Sequence, residues 1–132
     1  MLDPFILLRS AHGLVGVLAA AALLHPALAP AASARSALSA SVLAVATFAG
    51  GVGIYGDYRA GVKRVLLGEA FGLAQAFEVK EHLAFYVMVL AVSAAGLLHA
   101  GAPDLARACY RGAAGLAWVA VGIGWLVSGW AS

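Results

Sequence analysis

Four apolar stretches divide the chain, at residues 4–25, 36–55, 81–99 and 106–130. Each is about as long as the hydrocarbon core of a bilayer is thick. The first opens on Asp3-Pro4, an N-cap acid followed by proline at the first helical position. It closes at His25-Pro26, because the residue before a proline resists the helical conformation. Residues 27–35 then form a turn containing Pro30. The second stretch carries Gly50, Gly51 and Gly53 near its end and meets the interface at Tyr55, Asp57, Tyr58 and Arg59. The third ends at Gly101-Ala102-Pro103. In the fourth, Trp130 suits an interfacial anchor, while Trp118 falls near mid-membrane and packs.

Residues 59–80 have a different pattern. Val62, Leu66, Ala70, Leu73 and Phe77 recur at helical spacing, with Arg59, Lys63, Arg64, Glu69 and Gln75 on other positions. This periodicity predicts an amphipathic helix lying on the membrane surface. The alternative is an extension of the second stretch beyond the bilayer. The expected fold is thus an all-α membrane protein with one domain over residues 1–132. Four transmembrane helices form an up-down bundle, with an interfacial helix between the second and third.

Composition supports a lipid solvent. Of 132 residues, 64% are hydrophobic and 11% charged, and the mean hydropathy is +0.96. A soluble domain of this size has no means of hiding so much apolar surface. The formal charge of +2 contains no basic run of the kind that binds nucleic acid. A cleaved signal is rejected because Met-Leu-Asp-Pro lacks a basic start and Arg9 lies inside the first apolar stretch. The single cysteine, Cys109, excludes an intrachain disulfide. With four spans both termini share one side. Arg9, Arg59, Lys63, Arg64 and Lys80 lie there, against Arg35, Arg107 and Arg111 opposite. That bias places both termini in the cytoplasm, most simply of a bacterial inner membrane.

The chemistry concentrates in four histidines. His12 and His25 bracket the first stretch, and His82 and His99 the third. The two stretches run in the same direction. His12 and His82 therefore share one membrane face, and His25 and His99 the other. Thirteen residues separate the first two and seventeen the second two, axial rises of roughly 20 and 25 Å. Two parallel helices with a histidine near each end can hold one flat macrocycle at each level, since haem iron accepts imidazole on both axial faces. Gly13, Gly16 and Gly96 lie close to these histidines. Small residues also serve helix packing without any cofactor. On an ideal helix His12 and His25 stand roughly 140° apart, and His82 and His99 roughly 100°. One stripe per helix therefore does not collect both ligands. If one pair is structural, it is His25–His99, because each of these lies at a helix end where it can cap carbonyls. Zinc is less suited, because it wants three or four converging ligands.

Two histidines on each of two parallel spans resembles the pattern of two-haem membrane cytochromes b, including four-helix cytochromes. The stretch Arg9-Ser10-Ala11-His12-Gly13-Leu14-Val15-Gly16 also resembles the Ser-x-x-His-Arg-x-x-Gly stretch of succinate dehydrogenase membrane anchors, with Gly13 in the arginine's place. Asp57-Tyr58 resembles an Asp-Tyr pair in the partner anchor. The resemblance implies two haem b groups with His12, His82, His25 and His99 as iron ligands. It also implies electron transfer between the membrane faces, to or from a quinone or a redox partner.

Other polar groups fit this frame. Haem propionates need cations: Arg9, Arg59 and Lys80 are available at the His12–His82 level and Arg35, Arg107 and Arg111 at the His25–His99 level, with Arg9 and Arg111 singled out near the starts of bundle-forming stretches. Most of the remaining cations read as snorkelling residues. Glu78, one turn before His82, can orient an imidazole or simply favour the helix dipole. Asp57, Tyr58 and Arg59 mark where a quinone would find a donor. No hydrolytic constellation is present. The expected function is a haem b electron-transfer protein, with quinone oxidoreductase activity left open. The alternative is a cofactor-free anchor or scaffold subunit of a larger complex.

Overall fold

The computed structural model describes residues 4–29 and 33–130. Asp3 and Pro30, two of the expected boundary residues, lie outside the described residues. Helix α1 spans Pro4–Leu28 and α2 spans Ala34–Tyr58. A π-helical turn, Arg59–Lys63, carries α2 directly into α3, Arg64–Glu69. Helix α4 spans Phe71–His99 and α5 spans Pro103–Trp130. Among the described residues, four helices are long and apolar enough to cross a membrane: Ile6–Leu28, Ala34–Glu69, Phe71–His99 and Pro103–Gly129.

Two boundaries differ from the sequence expectation. Helix α1 runs past His25-Pro26 to Leu28. Proline removes only its own N–H, and the last turn still closes, because Ala29 N donates to the His25 carbonyl at 2.9 Å. Arg111 Nε donates to the Ala27 carbonyl at 3.1 Å, so α5 supplies an end cap to α1. The second difference concerns residues 59–80. They are divided between two long helices and do not stand as an element of their own. The chain leaves helical geometry at Ala70, φ −146° and ψ 61°. From there the first ten residues of α4 complete a helical hairpin with α3.

The remaining ends follow local chemistry. Ser33 caps α2, its hydroxyl accepting from Ser36 N at 3.1 Å. Helix α4 ends in a Schellman turn: Ala102 N donates to Leu97 O at 2.9 Å and Gly101 N to Leu98 O at 3.2 Å. The turn needs φ +77° at Gly101, where glycine carries no Cβ penalty. Pro103 then opens α5.

Helix α1 packs against α2 and α5, and α4 packs against α5 and α2. The neighbours form a ring, so α1 and α4 face each other across its diagonal. The main core consists largely of alanine: Ala20, Ala27, Ala37, Ala40, Ala91, Ala94 and Ala113 are almost fully buried. Small side chains let backbones approach closely, which is how helices gain dispersion contacts without a hydrophobic driving force in lipid. Tyr110, 1% exposed, is the largest residue in this core. Its hydroxyl donates to the Ala37 carbonyl at 3.0 Å and lies 3.0 Å from Ser41 Oγ. Ser41 in turn donates to the Ala91 carbonyl at 2.8 Å. This small network ties α2, α4 and α5 together in an otherwise apolar region.

A second, smaller core holds the other end. Tyr58, Leu66, Ala74 and Val127 are buried there, with Val62, Leu73, Phe77 and Ile123 around them. It joins the α3–α4 hairpin to the end of α5. Lys63 and Glu78 form an ion pair across the hairpin.

Replacing Tyr110 by Phe removes the hydroxyl that donates to the Ala37 carbonyl and meets Ser41 Oγ. The expected loss is about 1–3 kcal/mol. Ser41→Ala alone should cost less than Tyr110→Phe, and the double variant less than the sum of the two, because they share one network. Unfolding of the purified protein in mixed micelles, followed by circular dichroism, measures all three.

Candidate functional site

Between the two cores lies a cavity of about 630 Å³. That volume is in the range of pockets that enclose a small ligand. The beginnings of α1 and α4 and the ends of α2 and α5 supply its walls. Most of the lining is apolar or glycine. The polar contributions are Arg9 and His12 from α1, Thr47, Tyr55 and Tyr58 from α2, Lys80 and Glu81 from α4, and Ser128 from α5.

His12 is half-buried, and its ring lies against α2. A Cβ on Gly51 would stand 3.1 Å from His12 Cε1, and one on Gly50 would stand 3.4 Å from Nδ1. The two glycines therefore open the shallow bay that the imidazole occupies. Nδ1 is enclosed and has no hydrogen-bond partner. Helix α1 also approaches α2 closely at Gly16, where a Cβ would stand 3.6 Å from Thr47 Cγ2. Thr47 spends its hydroxyl on its own helix, donating to the Leu43 carbonyl at 2.8 Å.

The end of the cavity nearest the hairpin is formed by Tyr58 and Phe77. Their rings stack at 3.9 Å between centroids with 17° between planes. Both residues also belong to the small core, so this wall is packed from behind. Lys80 Nζ lies 4.8 Å from the Phe77 centroid, a cation–π contact, and its stem passes Gly124 of α5. Among the described residues no carboxylate lies within ion-pair distance of Lys80 or Arg9.

The four histidines are not equivalent. His12 lines the cavity. His82 does not: it is exposed, and its Nδ1 lies 2.8 Å from the Glu78 carbonyl. The inward stripe of α4 runs Phe77, Lys80 and Glu81, Ala84, Val87. His82 stands roughly 100° round the helix from Glu81 and so falls off that stripe. His25 and His99 are both exposed. At their level the bundle axis is filled by the alanine core, and the hollow beside it is about 50 Å³, lined by Pro26, Leu98, Arg107 and Tyr110 among others. Of the two cations singled out in the sequence, Arg9 lines the cavity and Arg111 caps α1. Of Asp57, Tyr58 and Arg59, Tyr58 turns inward and the other two are exposed.

Sequence reasoning offered Lys80 only as a cation at the His12–His82 level, and passed over Glu81 as a wall residue, Phe77 as the partner of Tyr58, and Gly50-Gly51 as the seat of the His12 ring. The i, i+3, i+4, i+7 spacing from Phe77 carried the first signal. The other two depend on which helices become neighbours. No family model, curated protein or solved structure matches the chain.

The bay predicts a selective perturbation. In Gly51→Ala the new methyl group meets His12 Cε1, so the ring shifts by a few tenths of an ångström. Imidazole NMR signals of His12 should move, while those of His25, His82 and His99 stay in place. An unmoved His12 signal would show that the ring does not rest on Gly51.

Proposed function

We propose that this chain is an integral membrane protein that holds a haem b in the cavity through His12 and passes electrons near one membrane face. The helices run up and down through the bilayer, with both termini on the cytoplasmic side. The observation that supports this reading best is the position of His12. It is the one histidine of the four that borders a ligand-sized cavity, and its ring is seated on a glycine pair.

The residues suit a porphyrin in three respects. His12 offers an imidazole beside an apolar space whose lining includes Ala84, Val87, Ala117 and Ala120. Two cations, Arg9 and Lys80, stand ready at the same cavity for acidic substituents. The alanine core bounds the space on one side and the Tyr58–Phe77 pair on the other. A bound haem would supply the one-electron chemistry; His12 would ligate its iron, and Arg9 and Lys80 would tune its potential beside a low-dielectric wall.

The packing favours one haem over the two implied by the resemblance. His82 would have to leave the Glu78 carbonyl and turn inward to serve as a second iron ligand. His25 and His99 border no comparable space.

A reduced visible spectrum of protein expressed with ample haem tests the reading. Haem b bands are expected in the wild type, lost in His12→Ala and retained in His25→Ala, His82→Ala and His99→Ala. A wild type without bands would overturn the proposal and leave a cofactor-free membrane subunit as the better description. Loss of bands in His82→Ala alongside His12→Ala would restore bis-histidine ligation.

A further inference from the structure

We infer that the cavity opens sideways into the bilayer between α1 and α5, and that an acyl chain of a bilayer phospholipid enters it there. The inference rests on the membrane-spanning part of the proposed function and is independent of haem. The alanine core and the Tyr58–Phe77 pair bound the cavity along the bundle. That leaves the four seams between neighbouring helices. Three of them are occupied at the level of the cavity. Along α1–α2 the His12 ring lies against Gly50 and Gly51, and Gly16 stands close to Thr47. Along α2–α4 the Phe48 and Phe85 rings meet at 5.9 Å between centroids. Along α4–α5 the Lys80 stem passes Gly124, where a Cβ would stand 3.3 Å from Lys80 Cε.

The α1–α5 seam is different. Away from the cavity it is fastened, because Arg111 of α5 reaches the Ala27 carbonyl of α1. Fourteen positions along each helix from that contact stand Gly13 and Trp125. Fourteen residues make nearly four turns, so both lie within about 40° of the same flank, roughly 21 Å away. Both line the cavity. Yet a Cβ on Gly13 would meet nothing within 4 Å, and Trp125 is 84% exposed. Leu14 and Val17 line the cavity beside Gly13 and are exposed as well. Depth decides what can pass this rim. Leu14 and Val17 lie ten and thirteen residues into α1, roughly 15 and 20 Å from its start and near the middle of a helix that spans the bilayer. The solvent at that depth is hydrocarbon. Inside the rim Ala44, Val87, Ala117, Ala120 and Val121 continue an apolar lining. Apolar hollows hold water poorly. Left empty, this one forfeits the dispersion contacts on which a bundle in lipid depends. A flexible acyl chain restores those contacts and needs no polar partner.

A phosphatidylcholine with a diazirine midway along one acyl chain tests the route. The full chain, shown by its reduced spectrum to be free of haem, is reconstituted in vesicles containing this lipid and irradiated. Adducts are then placed residue by residue by mass spectrometry. Leu18 and Leu126, exposed on the outer faces of α1 and α5, report bulk lipid. Adducts are expected on the inward residues Val87, Ala117 and Ala120 as well as on this outer pair. Gly13→Leu puts a side chain into the gap, where a Cβ meets nothing. It should cut the inward adducts severalfold and leave the outer ones unchanged. Trp125→Ala widens the rim and should raise the inward adducts. Circular dichroism and size exclusion check that both variants fold. Outer adducts without inward ones, or inward adducts that neither variant moves, would overturn the inference and leave the haem reading untouched. Absence of adducts on Leu18 and Leu126 would sink the membrane-spanning reading and the inference together.

Discussion

Close approach of helices on alanine is the constraint from which the rest of this architecture follows. Ala20, Ala40, Ala91, Ala94 and Ala113 are fully buried, and their methyl groups leave no depth between backbones. An apolar bundle in an apolar solvent has little else to hold it: burial from lipid gains no hydrophobic free energy, so contact density must serve. Where alanine fills the axis there is no room for a ligand. Where the side chains become long and sparse, at His12 and Lys80 opposite glycines, the same bundle leaves a cavity. The Tyr110–Ser41–Ala91 network reinforces the filled half, because three helices share hydroxyl contacts that have no water to compete for them.

The open half depends on a different device. Hairpin residues Leu66 and Ala74 join Tyr58 and Val127 in a second small core. Without it the cavity would lose its wall at the hairpin end. Its floor would lose the aromatic pair that presents Tyr58 inward. The ion pair of Lys63 with Glu78 ties the two limbs of this hairpin, and both partners are charged residues that the sequence alone would assign to a solvated face. The candidate site is thus the gap between two packings of unlike character, one alanine-rich and one aromatic.

How much of this the sequence discloses varies by element. Four spans of the right length were legible because apolar runs bounded by Pro, Gly and charge have few other readings. The helical period of residues 59–80 was legible too, but periodicity does not say whether a helix is joined to its neighbour. The break at Ala70 and the continuity through Arg59 are tertiary outcomes. Orientation around each helix axis was the least legible quantity. Amphipathic contrast is weak when nearly every side chain is apolar. The sequence therefore placed His12 and His82 at the same level while leaving their azimuths open. The ideal-helix angles already warned that one stripe could not collect both histidines of a helix, and His25 and His99 do lie exposed. Tyr58 could be found as a polar residue at a helix end, but its burial depends on Phe77, nineteen positions on.

The π turn at Arg59–Lys63 has a consequence for the phase of the chain. A π turn accommodates one residue more than an α-helical turn of the same height, so everything beyond it is rotated by about 100° relative to an uninterrupted α-helix. With that residue present, Tyr58 and Leu66 both point into the small core although they lie on opposite sides of the turn. The protein therefore keeps two registers on one rod, one matched to the alanine bundle and one matched to the hairpin. The single extra residue acts as the gear that meshes them.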